Sequence, residues 1–199
     1  GKLPNLFIVA DGMGGHKAGD VASRAAIEKF VKYACATHMS DPANILDAGI
    51  ISINKEIYDM AISNKDYSGM GTTFVACTLV DNHVYISNVG DSRLYLIGRD
   101  IRQITRDHSL VEHMVRMGMI EKEEAKTHYK KNVITKAIGV AEDRTATPDI
   151  FEIEISAGEK LLLCSDGLTN MVDDYEMKRI VHKNERIEDA VRVRIDQAN

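Results

Sequence analysis

The sequence lacks several features that would point to an extracellular or membrane protein. It contains no tryptophan, three prolines and three cysteines in 199 residues. The cysteines Cys35, Cys77 and Cys164 are odd in number and have no C-x-x-C spacing, so we expect free thiols in a reducing compartment. No apolar run approaches membrane-spanning length, and no signal peptide is visible. These absences favour a cytoplasmic protein without a membrane partner.

Basic residues are also in deficit. Lys and Arg number 25 against 30 Asp and Glu, which gives a net charge of −5, and no stretch is rich in Lys or Arg. We therefore expect no nucleic-acid partner. Hydrophobic residues make up 44% of the chain and charged residues 28%, which is ordinary for a globular protein. The length suits one domain over residues 1–199, without repeats or linkers.

Common catalytic and nucleotide-binding motifs are missing as well. The glycine loops at Gly12 and Gly69 match neither the dinucleotide nor the Walker spacing, and no H-E-x-x-H or G-x-S-x-G occurs. A cysteine phosphatase loop starting at Cys164 would need arginine six positions later, where the chain has Asn170. We therefore interpret Cys164 as a buried strand residue.

What the sequence does contain is a repeated pairing of apolar strands with Asp-Gly or Gly-Asp. The apolar stretches are Leu6–Val9, Val84–Val89 and Lys160–Cys164, and the acidic residues after them are Asp11, Asp91 and Asp166. Any one pair alone is more often simple turn chemistry. Three together favour carboxylates that converge in space, and carboxylate oxygens are the ligands that Mg²⁺ and Mn²⁺ prefer.

Four motifs in order along the chain carry a family resemblance. They are Asp11-Gly12-Met13-Gly14-Gly15-His16, Gly69-Met70-Gly71-Thr72-Thr73, Gly90-Asp91-Ser92-Arg93 and Ser165-Asp166-Gly167. Together they resemble the PP2C (PPM) family of metal-dependent protein serine/threonine phosphatases. Met13 stands where eukaryotic members usually have histidine, so the chain is most similar to the bacterial branch. The resemblance implies a PP2C-like α+β fold, a sandwich of two antiparallel β-sheets flanked by α-helices.

The resemblance also implies a mechanism and its residues. Two core Mn²⁺ or Mg²⁺ ions would activate a bridging water that attacks the phosphorus of phosphoserine or phosphothreonine directly. Asp11 and the Gly12 carbonyl would hold these ions, and Asp166 would bind one of them. Asp91 resembles the residue that, with Asp166, holds a third, weaker ion. His16 is the candidate acid for the leaving oxygen, and a loop histidine bonded to its own turn is the alternative.

The rest of the chain predicts an order of elements. Helices are predicted over residues 21–36, 42–64, 175–183 and 187–198, and a further helix is predicted to begin at Ser109. We interpret His108, directly before that helix, as a structural residue. Strands are predicted over residues 72–80, 84–89, 94–97, 101–105 and 149–155, with short spacers between the first four typical of hairpins. Alternating charges over 117–131 predict a short exposed helix in a stretch that resembles the family's flap, and a helix without a role is the alternative. Runs of strands beside runs of helices favour α+β.

Two segments of the family pattern are missing. Before the first strand the family carries a phosphate-binding arginine and an Asn-Glu/Gln-Asp segment, and after Asn199 it continues to an Asp-Asn pair. We expect a domain truncated at both ends, from an active monomeric enzyme that acts on phosphorylated proteins and reverses a cognate Ser/Thr kinase. A catalytically weak or inactive phosphoprotein-binding module on the same fold is the alternative. A metal-dependent phosphodiesterase is a third hypothesis, based only on generic carboxylate chemistry.

Overall fold

The helices and strands follow the predicted order in a computed structural model. It describes residues 2–141 and 146–183, apart from the side chain of His16, so the predicted helix over 187–198 lies outside the described residues. The strands are β1 Leu6–Val9, β2 Gly12–Met13, β3 Gly71–Thr72, β4 Phe74–Val80, β5 His83–Val89, β6 Arg93–Ile97, β7 Ile101–Gln103, β8 Asp149–Glu154 and β9 Lys160–Cys164. The helices are α1 His16–Ala36, α2 Pro42–Ser63, α3 Leu110–Arg116, α4 Lys122–Thr127, α5 Asp166–Thr169 and α6 Asp174–Lys183. No helix within the described ranges is both long and apolar enough to span a bilayer.

Two antiparallel sheets form the centre of the molecule. One has the strand order β1-β4-β5-β8 and the other β7-β6-β9, while β2 and β3 form a separate two-stranded ladder. Between the two large sheets lie Val75, Cys77, Val84, Ile86 and Leu94, with Leu161 and Leu163 packed against them. The predicted α+β sandwich is confirmed, and its apolar interior holds the sheets face to face.

Helices cover the outer faces of the sandwich. α1 and α2 pack over the four-stranded sheet, where the Phe30 ring lies 5.1 Å from that of Phe74 between centroids. α6 covers the three-stranded sheet, with Met177 against Tyr95. Burial of each such large side chain contributes about 1.5–3 kcal/mol to folding. The helices thereby fix the sheet ends at which the acidic residues lie.

Local sequence explains where α2 and α3 begin. Pro42 occupies the first turn of α2, and the Asp41 carboxylate accepts the Asn44 N–H at 2.9 Å, as the sequence predicts. Ser109 caps α3 by accepting the Glu112 N–H at 3.2 Å. α4 contains no buried residue, in agreement with the charge pattern. α1 begins five residues earlier than predicted, directly after the glycine loop.

Four details of the strand prediction are wrong. The spacer Gly90–Ser92 does not close a hairpin, because β5 and β6 belong to different sheets and the spacer crosses between them. β1 is an edge strand and not a buried one, since the Phe7 side chain is 57% exposed. The predicted strand over 72–80 is interrupted at Thr73. Asp166 does not end a strand, because β9 ends at Cys164 and Asp166 is the first residue of the one-turn helix α5.

Candidate metal centre

Three connections bring Asp11, Asp91 and Asp166 to one end of the sandwich. Asp11 lies between β1 and β2, Asp91 lies in the segment that crosses between the sheets, and Asp166 starts α5 after β9. The Asp166 carboxylate lies near enough to raise the pKa of Asp11, and both carboxylates contribute to the raised pKa of Asp91. The residues that the sequence analysis selected for hard-cation chemistry therefore do meet in space.

The backbone of Asp11 is fixed on both sides by two threonines. The Asp11 N–H donates to Thr73 Oγ1 at 3.0 Å, and the Asp11 carbonyl accepts from the Thr73 N–H at 2.9 Å and from Thr72 Oγ1 at 3.0 Å. Thr73 Oγ1 also bonds Ser92 Oγ at 2.7 Å, in the segment that carries Asp91. One buried hydroxyl thus ties the Asp11 loop to the crossing segment.

Glycine is required where the Asp11 loop meets α1. A Cβ on Gly12 would lie 1.9 Å from the carbonyl oxygen of Gly19, a residue in the first turns of α1. Any larger residue would force the β2 backbone away from the helix. This close approach explains the glycine after Asp11 by packing, independently of whether its carbonyl binds a metal.

The carboxyl groups repel one another. Burial raises the pKa of Asp11, and the neighbouring Asp166 raises it further, while a hydrogen bond from Ser165 opposes the shift. Burial raises the pKa of Asp91 to about 6, with added contributions from Asp166, Asp107 and Asp11. Such a cluster favours a bound cation, which would remove the repulsion and lower these pKa values.

The donor set fits a hard divalent ion but is not a complete cage. Within residues 2–141 and 146–183, no group of three or more Asp, Glu, His or Cys side chains is arranged to hold a metal by itself. Mg²⁺ characteristically keeps several waters and is bound through one or two carboxylates. Asp11 and Asp166 are the candidates for these carboxylates, and the ligand roles of Asp11, Gly12, Asp91 and Asp166 all stay predictions. The His16 side chain lies outside the described residues, so its role as an acid also stays a prediction.

A groove of about 950 Å³ opens beside Asp91 and Asp166. Its walls carry Lys122, Lys126 and Lys131 from the predicted flap, and Asp173 and Asp174 before and in α6. At its floor the Arg93 guanidinium forms an ion pair with Asp107 at 2.6 Å. The groove is lined mainly by polar and charged residues and reaches two of the three carboxylates.

Sequence reasoning missed the residues that support the carboxylates. Thr73 and Ser92 were noted only as parts of motifs, and His108 was predicted to be structural. The signal for Thr73 was its place in the Gly69–Thr73 motif, directly before the apolar strand β4. The buried position of His108, which is 8% exposed, follows from contacts with Gly90 that no local pattern predicts.

The chain is similar to several proteins of known sequence or structure. The family model described as protein phosphatase 2C matches residues 2–196. The serine/threonine phosphatase stp of Listeria innocua is 42% identical over 199 residues, covering 98% of this chain and 78% of that protein. The crystal structure of the serine/threonine phosphatase Stp1 from Staphylococcus aureus matches with a TM-score of 0.90 at 41% identity, covering 98% of this chain and 80% of that one. The catalytic domain of the phosphatase PstP, solved in complex with 2 manganese ions, matches with a TM-score of 0.84 at 32% identity, covering 98% of this chain and 80% of that one.

Proposed function

Because this chain belongs to the protein phosphatase 2C family and is a metal-dependent serine/threonine phosphatase, we propose that Asp11, the Gly12 carbonyl, Asp91 and Asp166 carry its metal site. The observation that carries the proposal is the position of Asp11, Asp91 and Asp166 at the connections that meet at one end of the sandwich, with Asp91 and Asp166 lining the groove. The raised pKa values of Asp11 and Asp91 support it, because such a cluster is unfavourable until a cation compensates it.

Each carboxylate has a defined task in this proposal. Asp11 is the first ligand, and its backbone is held in place by hydrogen bonds that join both its N–H and its carbonyl to Thr73. Asp166 accepts from Asn170 Nδ2 at 3.1 Å, which holds the second ligand in place. Asp91 sits between the two sheets and supplies the carboxylate for a third, weaker ion. The substrates are phosphorylated proteins, and the groove receives the peptide around the phosphorylated residue.

Bound Mn²⁺ or Mg²⁺ supplies the positive charge that lowers the pKa of a water and offsets the phosphoryl charge. A water activated in this way would attack phosphorus directly, and His16 would donate a proton to the leaving serine or threonine oxygen. Removing bulk water from the groove would strengthen every interaction made there. The inactive binding module receives no support from the comparisons, because the similar proteins carry phosphatase names.

The proposal also covers the partner, the compartment and the oligomeric state of the enzyme. A phosphoprotein phosphatase of this family opposes a protein kinase, so we propose a cognate Ser/Thr kinase in the same compartment. The reduced thiols and the acidic surface fit a cytoplasmic monomer without nucleic-acid partners. The shared apolar interior of the sheets fits one domain over residues 1–199.

Substitution of the two interacting carboxylates tests the proposal. Asp11→Asn and Asp166→Asn should each lower Mn²⁺-dependent hydrolysis of a phosphothreonine peptide more than about 100-fold, since loss of outer-shell partners alone costs about 10–100-fold. Asp59→Asn, on the exposed face of α2, is the matched control and should keep wild-type activity. Activity that survives either site substitution, or survives chelation of the metal, would contradict the proposal.

A further inference from the structure

His108 is a buried histidine directly behind the crossing segment. It precedes Ser109, the cap of α3, and is 8% exposed. Its neighbours Asp107 and Ser109 both line the groove, whereas His108 does not. It therefore faces the interior of the protein, against the backbone that leads into Asp91.

His108 holds both backbone polar groups of Gly90. The Gly90 N–H donates to His108 Nδ1 at 3.1 Å, and the His108 N–H donates to the Gly90 carbonyl at 2.9 Å. Gly90 has a φ of 103°, and a Cβ there would lie 2.7 Å from Thr73 Cγ2. The residue before Asp91 is thus kept in a conformation suited to glycine, against the threonine that fixes Asp11.

The hydrogen bonds define the tautomer of His108. Because Nδ1 accepts from Gly90, the proton of the neutral ring is on Nε2. Nε2 lies 3.3 Å from Asp149 Oδ1, at the start of β8, and Lys136 Nζ lies 3.9 Å from the same oxygen. Burial lowers the pKa of His108 and the charge of Lys136 lowers it further, while Asp149 opposes them. The ring is therefore held neutral, in the state that can accept from Gly90.

We propose that His108 is a positioning residue of the metal centre, which sets the place of Asp91 by holding Gly90 through Nδ1. The inference rests on the proposed function, because it concerns how one proposed ligand is aimed. Asp149 Oδ1 lies beside Nε2 of the ring, His108 holds Gly90, and Gly90 packs on Thr73, which bonds the Asp11 backbone. His108 touches neither substrate nor metal in this arrangement. It acts only through the backbone.

Two substitutions separate this role from that of an ordinary buried histidine. In His108→Asn the amide oxygen can take the place of Nδ1 and still accept the Gly90 N–H. In His108→Gln the longer amide reaches toward Asp149, and the acceptor for Gly90 is lost. A merely structural histidine would lose stability in both variants without a specific effect on metal binding.

The measurement is Mn²⁺ affinity by isothermal titration, with phosphopeptide kinetics and Gly90 amide hydrogen exchange on the same samples. His108→Gln should weaken binding of the weakest Mn²⁺ ion, the one assigned to Asp91, about 10–100-fold and lower kcat more than it changes KM. It should also speed exchange at Gly90. His108→Asn should retain most of the affinity and the protection of Gly90. His83→Gln, at the far end of β5, is the matched control and should bind Mn²⁺ like the wild type.

Equal affinity in His108→Gln and wild type, or equal losses in both His108 variants, would overturn the inference. Nitrogen NMR of the wild type keeps it testable if the variants fail to fold, because a proton on Nδ1 at pH 7 would also overturn it. A wild type without Mn²⁺-dependent phosphatase activity would instead refute the proposed function. The two failures are therefore distinguishable.

Discussion

Substitution of Asp91 by asparagine should stabilise the protein in the absence of metal. The pKa of Asp91 is raised from 3.8 to about 6 by burial and by three neighbouring carboxylates. The folded state therefore binds a proton at this group more tightly than the unfolded state does. Between these two pKa values the free energy of unfolding falls as pH rises, and the full penalty is present above pH 6. Asparagine fills the same space without the charge.

The size of the gain follows from the shift. About 1.4 kcal/mol for each pKa unit sets an upper limit of about 3 kcal/mol. Because Asp91 is half-buried, solvent screening reduces the expected gain at pH 7.5 to about 1–2 kcal/mol. For a chain of this length that gain corresponds to an increase in Tm of about 2–8 °C. At pH 4, where the folded group is already protonated, the gain should shrink to about a fifth.

Urea unfolding with a chelator present, at pH 7.5 and at pH 4, measures both values. Asp59→Asn is the control, and it should show no gain at either pH because its carboxylate pairs with Lys55 on the surface. Addition of Mn²⁺ should reverse the order and make the wild type more stable than Asp91→Asn. An unchanged or reduced stability of Asp91→Asn at pH 7.5, or an equal gain at pH 4, would refute the electrostatic reasoning.

Three further predictions concern the loop of Asp11 and the metal itself. Thr73→Val removes the hydroxyl that accepts the Asp11 N–H, so urea unfolding should show a loss of about 1–3 kcal/mol and kinetics a lower kcat; unchanged values would show that the bond is dispensable. Gly12→Ala places a Cβ 1.9 Å from the Gly19 oxygen and should abolish activity and lower Tm, whereas Gly167→Ala, whose nearest contact would be 3.6 Å, should fold like the wild type. Mn²⁺ at 100 times its Kd should raise the free energy of unfolding by about 2.7 kcal/mol per site, and calorimetry that detects no change would argue against a preformed site.

Local chemistry explains why much of the fold could be predicted. The span of α2 follows from Pro42, Asp41 and a regular apolar stripe, and these signals act within a few residues. The hairpin of β4 and β5 follows from the two polar residues between them. The crossing at Gly90–Ser92 could not be predicted in the same way. Whether β6 pairs with β5 or with β9 depends on a strand that comes much later in the chain.

The candidate site likewise has some residues that local sequence predicts and others that depend on distant parts of the chain. Asp11, Asp91 and Asp166 stand out because a carboxylate after an apolar strand is visible in the sequence. The exposure of Phe7, and the hydrogen bonds by which Thr73 and His108 hold the backbone near the carboxylates, depend on which segments lie beside them in the fold. The apolar composition of a stretch does not show which segments these are. Candidate ligands are therefore easier to find in the sequence than the residues that support them.

Because Gly90–Ser92 joins the two sheets, the distance between the Asp11 and Asp91 carboxylates depends on how the sheets pack against each other. Asp91 is three residues before Leu94, which is fully buried between the sheets, while Asp11 follows an edge strand of the opposite sheet. A slide of one sheet over the other would change the distance between these carboxylates before it exposed any apolar surface. Volume changes in the apolar interior, far from any phosphate, would thereby alter turnover without unfolding the protein.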